Sequence, residues 1–233
     1  MQQMYVPPLS KINKSIIIAY VSVFLLNTIL TMSAGIQLIK YLGLSAVGIK
    51  SGLIFQFVTF PLVDANLMSV VFNCLILWFI GSELELKWGK KFYLKFLAFS
   101  AYSCGLIYFL LTLFAGELVN FLPLSGLTGV NLALLVAYGI IYSERTMIFM
   151  FLFPMKAKYF CLLLAAMELF LALTSTAFNS AWAHIISMAT GYGYLKYQSL
   201  RARGLGVSQI MKNHRDHQAK RKRGNLRIVK DDE

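Results

Sequence analysis

Of the 233 residues, 58% are apolar and only 14% are charged, with a formal net charge of +12. Soluble domains run at about 45–50% apolar and about 25% charged, so a chain with a mean hydropathy of +0.65 needs lipid as its solvent. Soluble enzyme classes are excluded, and the fold class expected is an all-α, polytopic membrane bundle.

In chain order, a short cytoplasmic segment (residues 1–14) carries Lys11 and Lys14. Apolar runs of the length that crosses a bilayer, about 17–25 residues, follow at 15–38, 66–82, 93–114, 126–142, 159–175 and 181–197. The first is too long for a cleaved signal peptide and more spans follow it, so it reads as a signal anchor. Met147–Pro154 is too short to cross and reads as a surface or re-entrant piece. The connection over 39–65 is apolar (Ile49, Leu53, Ile54, Phe55, Phe57, Phe60) and is expected to lie partly in the membrane surface.

The charges orient this chain. Placing the N-terminus inside puts twenty Lys/Arg on the inner side and only Lys40 and Lys50 outside, as the positive-inside rule requires. Six spans with both termini cytoplasmic make a membrane domain over 15–197, followed by a basic tail over 198–233. A basic tail alone suggests nucleic acid, but this one directly follows a membrane segment, so anionic lipid is its expected partner and no nucleic acid is. Cys74, Cys104 and Cys161 lie inside the apolar runs at spacings that fit no metal or haem motif. Neither metal nor cofactor is expected.

Polar side chains in a span are costly, so each needs a reason. Asn66, Ser69 and Asn73 share one face of span two. Span four opens with Ser125-Gly126-Leu127-Thr128-Gly129, and span six with Trp182-Ala183-His184, then Ser187 and Gly191. A hydroxyl, an imidazole and an amide at one depth are the minimal kit for nucleophilic acyl transfer. Gly126, Gly129, Gly191 and Gly193 let spans four and six approach closely. Each piece also has a plainer reading. Ser125 or Thr128 caps span four, Asn66 and Asn73 are glue between helices, and His184 is a packing histidine. Glu168, a lone carboxylate in span five, is either protonated or bonded to a polar neighbour. Its functional reading is a gating or substrate-sensing group.

Five segments in order resemble the rhomboid intramembrane proteases, over roughly residues 8–197. Asp64-Ala65-Asn66-Leu67-Met68-Ser69-Val70-Val71-Phe72-Asn73 is similar to the family's His-x-x-x-x-His-x-x-x-Asn. Leu84-Glu85-Leu86-Lys87-Trp88-Gly89 matches Leu-Glu-x-x-Trp-Gly, and Gly126-Leu127-Thr128-Gly129 stands where the family has Gly-x-Ser-Gly. Pro154-Met155-Lys156-Ala157-Lys158 resembles Pro-x-Lys-Ala-Lys, and Ala183-His184 with Ser187 and Gly191 parallels Ala-His-x-x-Gly-x-x-x-Gly. The resemblance implies a six-span bacterial-type core in a bacterial inner (cytoplasmic) membrane, cleaving transmembrane protein substrates near the outer face. Thr128 would be the nucleophile and His184 its base. Asn73 and Ser69 would stabilise the oxyanion, and Gly126, Gly129, Ser187 and Gly191 would line the site. No orienting acid is evident, so a dyad is expected.

The departures gather at the chemistry. Threonine replaces serine at 128, serine replaces the oxyanion histidine at 69, and Asp64 stands where histidine is usual. Ser187 replaces a glycine, Leu132 replaces an aromatic, and no Trp–Arg pair occurs in 39–65. An extra methyl in a tight site costs about 1–3 kcal/mol and a lost oxyanion donor roughly 2.7–4 kcal/mol. Together these slow the reaction by on the order of 10³–10⁵, which permits a slow enzyme. The competing expectation is an inactive pseudoprotease that binds transmembrane clients without cutting them.

Overall fold

In the computed structural model, residues 8–114, 123–149, 153–174 and 180–201 are described. The chain divides into two units, Met1–Tyr192 and Gly193–Glu233. In the second, residues 193–201 are helical, and Gln198 Nε2 donates to the Tyr194 hydroxyl at 3.2 Å. The remainder of the basic tail lies outside the described residues.

The first unit opens with α1, Lys11–Ala34, capped by the Ser10 side chain and closed by Gly35 at φ +67. Three short helices follow: α2, Leu38–Leu42; α3, Ala46–Lys50; and α4, Gln56–Thr59, which runs into a 3-10 turn at Phe60–Leu62. Next come α5, Leu67–Ile76, a π turn at Leu77–Gly81 and α6, Ser82–Trp88, as one continuous rod. Beyond them lie α7, Lys90–Phe114; α8, Thr128–Ile141; and α9, Ala157–Thr174. The last, α10, covers residues 180–192 of this unit.

Each of the six expected apolar runs falls on a helix. Lys11–Ala34, Leu67–Trp88 and Lys90–Leu113 are long and apolar enough to cross a membrane, whereas Thr128–Ile141 is apolar but only 14 residues long. At 1.5 Å per residue α8 spans about 21 Å, well short of an apolar bilayer core of about 30 Å. It compensates by position. Ten of its residues, from Gly129 to Gly139, are buried, so α8 is the axis around which the longer helices pack.

The segment around Met147–Pro154 is not an irregular surface piece. It pairs as an antiparallel hairpin of β1, Thr146–Phe149, and β2, Phe153–Lys156, in the register Ile148↔Pro154. Span two also runs past the expected residue 82 to Trp88. Gly89 then turns the chain at φ +78, its N–H donating to the Glu85 carbonyl, and Trp88 lies against Phe92 and Phe96 at 5.1 Å each. The matched Trp-Gly pair is thus a corner and its plug.

Packing in α1 reverses the pattern of a soluble helix. Its buried residues are Asn13, Tyr20 and Asn27, seven apart and so on one face, while Leu25, Leu26 and Ile29 are exposed. Each buried polar group is paired. Asn13 accepts from the Tyr93 hydroxyl at 2.7 Å and its amide reaches the Ser82 hydroxyl at 3.4 Å. Asn27 accepts from the Leu38 N–H at 2.8 Å. Apolar side chains lie outward because their solvent is lipid.

The 39–65 connection splits its apolar residues between two surfaces. Tyr41, Val47, Ile54, Phe55 and Val58 are exposed, whereas Leu44 and Phe60 enter a core with Cys104, Tyr108, Leu124 and Ala183. Leu44 and Leu124 form a two-way backbone bridge (2.9 and 2.8 Å), and the Gly126 N–H donates to the Phe60 carbonyl at 2.9 Å. These bonds fix the chain entering α8. At the opposite end, Arg145 pairs with Glu83, which also accepts from the Tyr138 hydroxyl at 3.1 Å. Glu144 holds Lys156 and Lys158 at 2.6 and 2.5 Å.

Two predictions follow from these contacts. Gly52 and Gly126 both sit at positive φ, +87 and +83, but a Cβ on Gly52 meets open space while one on Gly126 lies 2.7 Å from Asp64 Oδ2. Gly52→Ala should cost only backbone strain, about 1–2 kcal/mol, and Gly126→Ala measurably more, read as thermal unfolding in detergent; equal losses would refute the contact. Hydrogen bonds from Lys156 and then Lys158 hold the Glu144 carboxyl down at about 2, from 4.5. A depressed carboxyl stabilises above its unfolded value and loses that contribution as pH falls towards the folded one. Carbon-13 titration should therefore place the Glu144 midpoint near 2, and the double change Lys156→Ala, Lys158→Ala should return it towards 4.5.

Candidate functional site

The site is rooted in Asp64, on the turn that leads into α5. Its Oδ2 accepts from the Tyr20 and Ser69 hydroxyls, both at 2.7 Å, and its Oδ1 from the Asn66 N–H at 2.9 Å. Three donors around a buried acceptor satisfy it within an apolar surround. Asn66 is also the N-cap of α5, accepting from the Met68 and Ser69 N–H groups at 2.8 and 3.3 Å. Its plainer reading therefore holds, and it takes no part in the deeper network.

One turn further, the Asn73 amide donates towards the Tyr20 hydroxyl (3.1 Å), Ser69 Oγ (3.2 Å) and Thr128 Oγ1 (3.4 Å). An amide nitrogen has two hydrogens, so three acceptors compete for them. Asn131, one turn past Thr128, donates to the Asn73 carbonyl at 3.1 Å and to its Oδ1 at 2.8 Å. Tyr20, Asp64, Ser69, Asn73, Thr128 and Asn131 thus form one continuous network joining α1, α5 and α8. The expected oxyanion pair, Asn73 and Ser69, is gathered at Thr128. Ser69, however, gives its only proton to Asp64.

Thr128 opens α8, which has no side-chain cap; neither Ser125 nor Thr128 acts as one. His184 enters from α10. A Cβ on Gly129 would lie 2.6 Å from Cys104 Sγ and 3.2 Å from His184 Cδ2. Glycine at 129 is therefore what lets α7, α8 and α10 converge. Gly191 plays the same part lower down, where a Cβ would lie 3.0 Å from that of Ala133. Ser187 is fully buried and donates to the Gly129 carbonyl at 3.1 Å, with the Ser100 carbonyl at 3.4 Å. It is a strut between three helices.

Thr128 and His184 reach the same corner without joining. Among the described residues no hydrogen bond links them, and the partner of His184 is Glu168, whose Oε2 lies 3.3 Å from Nδ1. Glu168 is 7% exposed, and the His184 side chain 13%. The expectation that no acid orients His184 is corrected. The sixteen residues between them disguise the pair, because the chain leaves α9 and returns in α10 before they meet. Tyr20, Asp64 and Asn131 were likewise not legible as site residues. For Asn131 alone a signal existed, its three-residue spacing from Thr128.

Among the described residues no three His, Cys, Asp or Glu side chains are grouped to hold a metal ion. In comparison with known proteins, the family described as "Eukaryotic integral membrane protein (DUF1751)" matches residues 14–219. No curated protein matches the chain. The eukaryotic description overturns the expected bacterial-type core and bacterial inner membrane; the expectation of an integral membrane protein stands.

The network predicts an order of losses. Asp64→Asn leaves hydroxyl donors without their acceptor and should cost about 1–3 kcal/mol, whereas Ser69→Ala removes a single bond and should cost about 0.5–1.5 kcal/mol. Thermal unfolding of both variants in one detergent checks the ranking; the reverse order would show that Asp64 is not the root.

Proposed function

The chain belongs to the family described as "Eukaryotic integral membrane protein (DUF1751)", and from that premise we propose that it is a rhomboid-like six-span bundle binding transmembrane segments of client proteins without cleaving them. The rhomboid likeness rests on the five segments matched in order and on their positions at helix starts and corners. The crevice at the start of α8, between α5 and α10, is where the client would lie.

One observation carries the non-cleaving reading: the groups that would perform hydrolysis are bonded to one another as structure. The Thr128 hydroxyl is held in the Asn73 network and has no bond to His184, and the Ser69 proton is committed to Asp64. Turning Ser69 towards an oxyanion would leave a buried acceptor short of a donor, at about 1–3 kcal/mol. That loss falls on a site already slowed by the threonine methyl and the missing histidine. A second reading, a slow Thr128–His184 endopeptidase, is favoured by the Glu168–His184 pair, which resembles the base–acid arm of a hydrolytic triad.

Proteoliposomes holding a labelled transmembrane peptide with a photo-crosslinker decide between them. The expected result is crosslinking to residues around Thr128 with no cleavage by the unaltered protein. Cleavage abolished by both Thr128→Ala and His184→Ala would instead establish the endopeptidase. Failure to crosslink and to cleave would remove both readings.

A further inference from the structure

Glu168 is a carboxylate in the interior of a membrane protein, and among the described residues it has one hydrogen-bonding or ion-pairing partner, His184. Lys158, the other charged residue on α9, pairs with Glu144 at the end of the helix. Cys104 is the titratable neighbour on α7, close enough to feel the Glu168 charge. No cation compensates Glu168 except the imidazole itself, so the two groups must share a proton.

That proton has a preferred seat. Imidazole is a stronger base than a carboxylate, so the proton stays on Nδ1 and Oε2 accepts it. The second ring nitrogen is then the free one. Cδ2, the ring atom bonded to Nε2, is the atom against Gly129, so the Nε2 edge lies on the α8 side, away from Glu168. Among the described residues Nε2 has no hydrogen-bond partner, and the side chain keeps 13% of its surface accessible.

We infer that Glu168 is a positioning residue: it fixes His184 with Nε2 as an unpartnered hydrogen-bond acceptor, so the segment this site selects carries a hydroxyl or amide side chain at that depth. The selection of a client rests on the binding proposed above; the positioning does not. A polar group in a transmembrane helix is poorly served by lipid, and an interhelical hydrogen bond satisfies it. His184 supplies the acceptor that a serine, threonine, asparagine or glutamine of a client lacks.

Two arms test this separately. In the first, nitrogen-15 histidine spectra are recorded in nanodiscs on the His214→Gln, His217→Gln protein, where His184 is the remaining histidine. At alkaline pH the neutral ring should be the Nδ1–H tautomer. Glu168→Gln should abolish that bias and Glu168→Asp restore it. An Nε2–H ring in the unaltered protein, or a tautomer indifferent to Glu168→Gln, overturns the positioning role.

In the second arm, two polyleucine transmembrane peptides differing by one serine or one leucine compete for the protein in vesicles. The polar peptide should bind about 3- to 30-fold more tightly, and Glu168→Gln should close the gap. Equal affinities overturn the selection. If neither peptide binds, the client-binding reading and the selection fall together, while the spectra still decide the role of Glu168.

Discussion

The acceptor at Asp64 is the constraint on which the arrangement of α1, α5 and α8 depends. In lipid there is no water to take up an unsatisfied polar group, so a carboxyl at this depth must collect its donors from the protein. It does so from three directions, through Tyr20, Ser69 and the Asn66 backbone. Because those donors stand on different helices, satisfying one acceptor fixes the register of two helices. Asn73 and Asn131 then extend that register to the central helix.

The same logic runs through the bundle. Hydrophobic burial gives little drive for helices to associate within lipid, because lipid is as apolar as leucine. Association here rests on close approach at Gly126, Gly129 and Gly191 and on hydrogen bonds placed where backbones meet. The buried stripe Asn13, Tyr20 and Asn27 on α1 expresses this directly. At each of its three points a helix is held by one or two directed bonds.

This clarifies why the departures from the rhomboid pattern cluster where they do. Replacing a histidine by Ser69 puts a small donor within reach of Asp64, and Asp64 in turn holds Tyr20, which accepts from Asn73. The altered residues are mutually consistent as a hydrogen-bonded set. Around them the scaffold elements are retained: the Trp88–Gly89 corner, the glycines of α8 and α10, and the imidazole. Hydrolysis would need several of these bonds to open together, whereas binding a polar group at His184 needs none of them to change.

The sequence by itself determined that the chain lives in a membrane, which six runs become helices, and which side chains in them needed explaining. Those conclusions follow from composition, periodicity and the cost of polar groups in lipid, all local or additive properties. Period-based reading also placed Asn66, Ser69 and Asn73 on one face, since helical geometry dictates it. Tertiary structure alone decided that Asp64, before the helix, rather than Asn73 within it, anchors that face. It also decided that the supposedly lone Glu168 meets His184, and that Thr128 does not. The physical reason is that hydrogen bonds between helices depend on rotations and offsets that no single helix encodes. A carboxylate and an imidazole sixteen residues apart become partners only when two helices are packed against a third through the bare backbone of Gly129.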